Sequence, residues 1–111
     1  MIEKTILDYL NGVLSVPAYM ERPENPPESY VIIEKTGSGR ENRLNSATLA
    51  IKSHAPTLYG AAELNEAVKA AMDNAVSLSS VTRCRLNSDY NYTEDATRQY
   101  RYQAVFDLWH Y

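Results

Sequence analysis

Apolar positions recur along the chain with two periods, and the changes of period mark its elements. In residues 2–14, IEKTILDYLNGVL, Ile2, Ile6, Tyr9, Leu10 and Val13 fall at helical spacing with Leu14 beside them, while Glu3, Lys4, Asp8 and Asn11 take the other side. The pattern predicts an amphipathic helix, stopped soon afterwards by Pro17. Residues 18–21 suit a brief strand. PENPP then forces an ordered loop, because four prolines between positions 17 and 27 remove ladder donors. YVIIEKT (30–36) is rich in β-branched residues and predicts a strand. GSGRENR (37–43) reads as a flexible turn with a mobile tip. RLNSATLAIKSHA (43–55) alternates, with Ala47, Leu49 and Ile51 on one face and Thr48, Ala50 and Lys52 on the other, so it predicts the second strand of a hairpin.

Pro56 and Thr57 open a second helix, with Thr57 as N-cap. Ala61, Leu64, Val68, Ala71, Met72 and Ala75 give it an apolar stripe through about residue 76. Glu63 and Glu66 lie early and Lys69 later, as the helix macrodipole prefers. SSVTRCRLN (79–87) predicts a strand and SDYNYTEDATR (88–98) a polar loop. The chain closes on RQYRYQAVFDLWHY (98–111). Its even positions from Tyr100 to His110 are largely apolar and face a core. Its odd positions run Arg101, Gln103, Val105, Asp107, Trp109 and Tyr111. That second face starts polar and ends on large aromatics. It is either buried on both sides or meets another chain. The expected fold is one α+β domain over residues 1–111: an antiparallel sheet of four or five strands with two helices packed on one face.

Composition narrows the function classes. The chain has 111 residues, 44% hydrophobic and 23% charged, which suits one modest core. A net charge of −3 argues against general nucleic-acid binding, which needs a basic patch on a basic domain. It leaves room for a protein that lets nucleic acid pass without gripping it. Cys84 is the single cysteine, so no disulfide or thiolate metal site forms within one chain, and it reads as a small buried hydrophobe. MIEKTILDYL carries charges where a secretory signal would be apolar, and no apolar run nears the ~20 residues of a membrane span. A cytoplasmic or virion compartment is expected.

Candidate chemistry is sparse. His54 and His110 lack a second ligand at metal spacing. GSG at 37–39 lacks the lysine and the following helix of a phosphate loop. No nucleophile elbow is present, and Glu94 with Asp95 reads as a solvated pair. The sequence therefore predicts no catalytic, cofactor or metal residues. Its remaining signal is nine tyrosines against one phenylalanine, five of the nine after residue 89. Tyrosine suits surfaces that are partly wet and partly in contact. Tyr100 and Tyr102 read equally as core or surface. Tyr90, Tyr92, Trp109, Tyr111 and the tip residues Arg40 and Arg43 are the candidate assembly residues.

Three stretches carry a resemblance: VPAYMERPENPPESYVIIEKTG (16–37), LYGAAELNEAVKAAM (58–72) and SDYNYTEDATRQYRYQAVFDLWHY (88–111). In order and length the chain resembles the tail-terminator, or tail-completion, proteins of long-tailed, siphovirus-type bacteriophages. The family's motifs are weak individually, because it is defined more by fold than by invariant residues. The resemblance implies a structural, non-enzymatic role without a cofactor, in a phage or a prophage. Such proteins form a six-fold ring on the head-proximal end of the tail tube, stop tube polymerisation and offer a surface to head-completion proteins. Genome DNA passes through the lumen without specific binding, and no membrane is involved. The implied location is the virion tail–head junction, after assembly in the bacterial cytoplasm. By position, Arg40 and Arg43 fall on the family's flexible inter-strand loop, and Tyr90, Tyr92, Glu94 and Asp95 on the loop before its last strand. Two other readings use the same features. One is a head–tail connector, head-closure or minor tail protein. The other is a small dimeric α+β ligand-binding domain or enzyme.

Overall fold

The computed structural model describes residues 1–111. Its elements are helix α1 (Ile2–Val13), strands β1 (Ala18–Tyr19), β2 (Tyr30–Glu41) and β3 (Leu44–Ala55), helix α2 (Leu58–Asp73), a 3₁₀ turn (Ala75–Ser77), and strands β4 (Val81–Asn91) and β5 (Tyr100–His110). Together they make an α+β domain with a five-stranded sheet in the order β1-β2-β3-β5-β4.

Alternation decides which face of the sheet is covered. Residues directly opposite in register share a face. Ile33 pairs with Ile51, Ile51 with Ala104, Leu49 with Phe106 and Ala47 with Leu108. These seven side chains form one buried layer together with Ile2, Ile6 and Leu10 of α1 and Val68 and Met72 of α2. Both helices therefore lie on the same face. On the last strand Ala104, Phe106 and Leu108 are buried as their even positions predict, while Tyr100 and Tyr102 are half-buried.

Each helix is fixed by a few polar contacts. Lys4 and Asp8 pair at 2.8 Å across one turn of α1. The Thr57 hydroxyl accepts the Gly60 N–H at 2.9 Å and caps α2. A Cβ at position 60 would meet the Thr57 Oγ1 at 3.0 Å and the Ala55 Cβ at 3.2 Å, so glycine permits the tight entry into the helix. α2 ends at Asp73, short of the expected residue 76, and continues as the 3₁₀ turn. The Tyr9 hydroxyl donates to the Ala71 carbonyl at 2.6 Å and joins the two helices.

The sheet departs from expectation in three places. It is mixed, because β1 pairs parallel to β2 through Ala18↔Val31 and Tyr19↔Ile32. The proline loop returns the chain to the start of β2 and makes the parallel pairing possible. The outer edge of β1 is closed by Asn11, whose amide donates to the Ala18 carbonyl at 3.2 Å and accepts its N–H at 2.8 Å.

Residues 37–41 are strand, not mobile turn. A register shift lies between Lys35 and Gly37, pairing then runs to Glu41↔Leu44, and the turn shrinks to Asn42 and Arg43. Both have positive φ, 52° and 67°, the geometry that matches the twist of a two-residue hairpin.

The polar loop predicted for 88–98 is also shorter. Ser88, Asp89, Tyr90 and Asn91 belong to β4, and the Tyr92 N–H still bonds the Arg101 carbonyl at 2.8 Å. Asp89 turns toward α2, where it accepts from Asn65 at 2.9 Å and from Lys69 at 3.0 Å. That anchor carries a polar strand where apolar periodicity is missing.

Two substitutions test this local reading. Thr57→Ala should cost about 1 kcal/mol of unfolding free energy by removing the cap, measured by denaturant titration. Arg43→Gly should raise stability by about 1 kcal/mol, because glycine adopts positive φ without the side-chain penalty. An unchanged or lower midpoint for the glycine variant would mean that the Arg43 side chain makes a compensating contact.

Candidate interaction surface

The other face of the sheet has no helix over it. Register places Tyr30, His54 and Arg101 in one row across it, then Ile32, Lys52, Gln103 and Tyr90. Glu34, Ala50, Val105 and Ser88 follow, then Thr48, Asp107 and Arg85, and finally Gly39, Ser46, Trp109 and Arg83. The face is neither polar throughout nor apolar throughout. It alternates aromatic, cationic and aliphatic groups, with Val105, Trp109, Gln103 and Lys52 each half-exposed.

The six sequence-predicted residues separate into two ends. Arg40, Arg43, Trp109 and Tyr111 lie at the end that carries the β2–β3 turn; Tyr90 and Tyr92 lie at the other. Trp109 stands about six residues along β5 from the level of Tyr90, roughly 20 Å at strand rise. Arg83 covers the Trp109 ring at 5.1 Å. Trp109 also lines a groove with Gly39, Arg40, Glu41, Asn42, Leu44 and Ser46. Arg40 pairs with Asn45, one position out of step with Trp109, so it belongs to the helix-side rows of the strand. It reaches both the Trp109 groove and a second groove bordered by Met1, Glu3 and Lys35. Tyr111 follows the end of β5, is 76% exposed, and is held by its N–H on the Ser80 carbonyl at 3.0 Å.

At the opposite end Tyr90 and Tyr92 meet edge to face at 6.2 Å and remain exposed. The Gln103 amide donates to the Tyr90 hydroxyl at 2.6 Å. The Arg101 guanidinium lies 4.5 Å from the Tyr92 ring centre and Lys52 Nζ 5.9 Å from it. Arg101 Nε also donates to the Tyr92 carbonyl at 2.7 Å. Glu94 and Asp95 stay in the exposed loop beyond.

Sequence reasoning missed the stack beside this cluster. Tyr30 and His54 lie parallel, ring centres 4.5 Å apart, and Tyr19 meets Tyr30 edge-on at 6.3 Å. Burial, then the charges of Arg101, Arg22 and Lys52, lower the His54 pKa to about 4. The buried Nε2 has no hydrogen-bond partner. A signal was present: Lys52 and His54 share parity on one strand, as Arg101 and Gln103 do on another.

Asp107 ties the middle of the face together. It accepts from Asn87 at 3.0 Å and from Thr48 at 3.0 Å, with Arg85 at 3.6 Å. Those contacts, the Asn87 hydrogen bond first, lower its pKa against the opposing effect of burial. On the helical side, burial and the charges of Asp73 and Asp107 push the Cys84 thiol up to about 11, so it stays protonated near neutrality. It packs against the core, as a small hydrophobe does. None of the surface grooves is lined by His54 or Cys84.

Comparison with protein-family models and with curated proteins finds no match to this chain.

The His54 environment sets a pH dependence. Its folded pKa lies below the unfolded value near 6.5, so the unfolded chain takes up the proton first. This group's contribution favours folding above pH 6.5 and weakens as pH falls toward 4. His54→Phe keeps an aromatic ring on Tyr30 and removes the titration. Thermal melts from pH 7 to 4.5 should show the wild type losing stability relative to this variant. Parallel melting curves would rule out a neutral, desolvated His54.

Proposed function

We propose that the chain is a structural phage or prophage protein that caps the head-proximal end of a tail tube as a ring. In that role it ends tube polymerisation and joins tail to head. The resemblance in residues 16–37, 58–72 and 88–111 gives the class. The observation that carries the reading is the uncovered sheet face, with Trp109 under Arg83 at one end and Tyr90 and Tyr92 at the other. A closed ring needs a heterologous contact, in which one patch meets a different patch on the next copy. Mixed aromatic and cationic faces are common at such contacts.

The role requires no cofactor and no catalytic residue. It requires self-association, a tube-facing surface, and a surface for head-completion proteins. A protein of net charge −3 neutralises few phosphates, which suits a lumen that DNA must slide through.

Native mass spectrometry across a wide concentration range, with and without purified tail tubes, tests the reading. A hexamer, alone or on tubes, supports it. A stable dimer with no higher species would favour the ligand-binding or enzymatic class instead. In the same assay Trp109→Ala should raise the concentration for half-assembly about tenfold or more, while its melting temperature falls by only a few degrees. A sharply lower melting temperature with unchanged assembly would make Trp109 a folding residue.

A further inference from the structure

The two faces of the domain carry opposite charge, and each leaves part of it unpaired. On the open sheet face Lys52 is bound to Glu34 at 2.8 Å and Arg85 lies near Asp107 at 3.6 Å. Arg83 and Arg101 have no carboxylate partner: Arg83 covers Trp109, and Arg101 covers Tyr92. On the helical face Lys4 is engaged by Asp8 at 2.8 Å, Lys35 by Glu3 at 3.5 Å, and Lys69 by Glu66 and Asp89 at 2.9 and 3.0 Å. Glu63 and Asp73 project from the exposed side of α2 without a cation. Apart from Arg40 at the turn end, free cations therefore stand on the sheet face and free carboxylates on the helical face.

Shape follows the same division. Between α1 and α2 runs a groove of about 460 Å³ lined by Tyr9, Val13, Leu14, Leu64, Ala67 and Ala70. Val13 at its rim is 53% exposed. The alanines keep its floor low. Glu63 stands with Leu64 and Ala67 of the groove wall, whereas Asp73 shares the Lys69 stripe that faces β4. A large aromatic carrying a guanidinium would fill the groove and bring its charge to Glu63. Trp109 with Arg83 is such a pair, on the face that has no cover.

We propose that the open sheet face of one copy seats on the helical layer of the next, with Trp109 and Arg83 entering the α1–α2 groove beside Glu63. This rests on the ring reading and specifies its contact. Because the two patches differ, each copy offers one and receives the other, as a ring requires.

The test uses two variants of the full chain: Trp109→Ala with Arg83→Ala, and Glu63→Arg. Circular dichroism and thermal melts check that each is folded; all but Trp109 are exposed charged positions. In native mass spectrometry the wild type should assemble and each variant alone should stay monomeric. Their equimolar mixture should give a one-to-one heterodimer and nothing larger, since only one intact pair of patches remains. A mixture that stays monomeric, or a helix variant that assembles like the wild type, overturns the proposal while leaving the ring reading in place. If the first variant does not fold, Arg83→Glu replaces it. That change alone should weaken assembly about tenfold, and combining it with Glu63→Arg in one chain should recover most of the loss. Failure to recover overturns the proposal. A wild type that is monomeric at every concentration, with tubes present as well as absent, overturns the ring reading and the contact together.

Discussion

The register of β3 against β5 is the constraint on which the rest of the molecule depends. These two strands are the centre of the sheet, and their pairing sets Leu49 against Phe106, Ala47 against Leu108 and Ile51 against Ala104. A slip of β5 by one residue would send Ala104, Phe106 and Leu108 to the opposite face and bring Trp109 and Asp107 under the helices. Turn geometry cannot set this register, because α2 and β4 intervene between the two strands. It is set by burial on one side and by the Thr48–Asp107 hydrogen bond on the other. Asp107 then reaches on to Asn87 and Arg85 of β4, so one carboxylate aligns three strands. Such long-range pairing pays a loop-closure entropy before its contacts form, which makes it the slow part of folding.

Once this register is fixed, the two sheet edges behave differently. The β1 edge is short, and Asn11 supplies the peptide-like partner that a further strand would have given. The β4 edge is long and mostly exposed. It is broken by register shifts at Val81/Arg83 and at Leu86/Ser88, and it carries Arg83, Arg85 and Asp89. Bulges and charges on an edge discourage strand-to-strand addition by another chain. Association through faces is then the better-prepared route, and the faces are where unpaired charge and exposed aromatics collect.

Elements whose periodicity comes from the core were legible in the sequence. The α1 stripe, the α2 stripe and the inward face of β5 all follow from apolar spacing, and the helices-on-one-face α+β arrangement follows from them. Segments that owe their form to polar contacts were not legible. Gly37 and Gly39 read as turn residues, yet they lie in a stretch where no helix packs, so a strand without side-chain support costs little there. Ser88 to Asn91 read as loop because their anchor is Asp89 on Asn65 and Lys69, more than twenty positions apart in sequence for the first pair. The candidate surface divides in the same way. Trp109 opposite the core could be read from alternation alone. That Tyr92 lies under Arg101 and near Lys52, or that His54 stacks on Tyr30, depends on strand registers that no local pattern contains.

The same distinction bears on why an acidic protein should keep a cationic, aromatic face. An uncovered sheet face is free to be polar throughout, which would be the simplest route to a non-associating domain. Here the face keeps Trp109, Tyr90, Tyr92 and Val105 beside arginines without carboxylate partners, and its histidine is held neutral by burial and surrounding positive charge. Positive charge crowded around a desolvated imidazole opposes further cation binding and favours an anionic neighbour. In the proposed sheet-to-helix contact that neighbour is the helical face of another copy. Glu63 would be buried together with Arg83, so cohesion would come from pairing opposite charge while each copy keeps its net charge of −3.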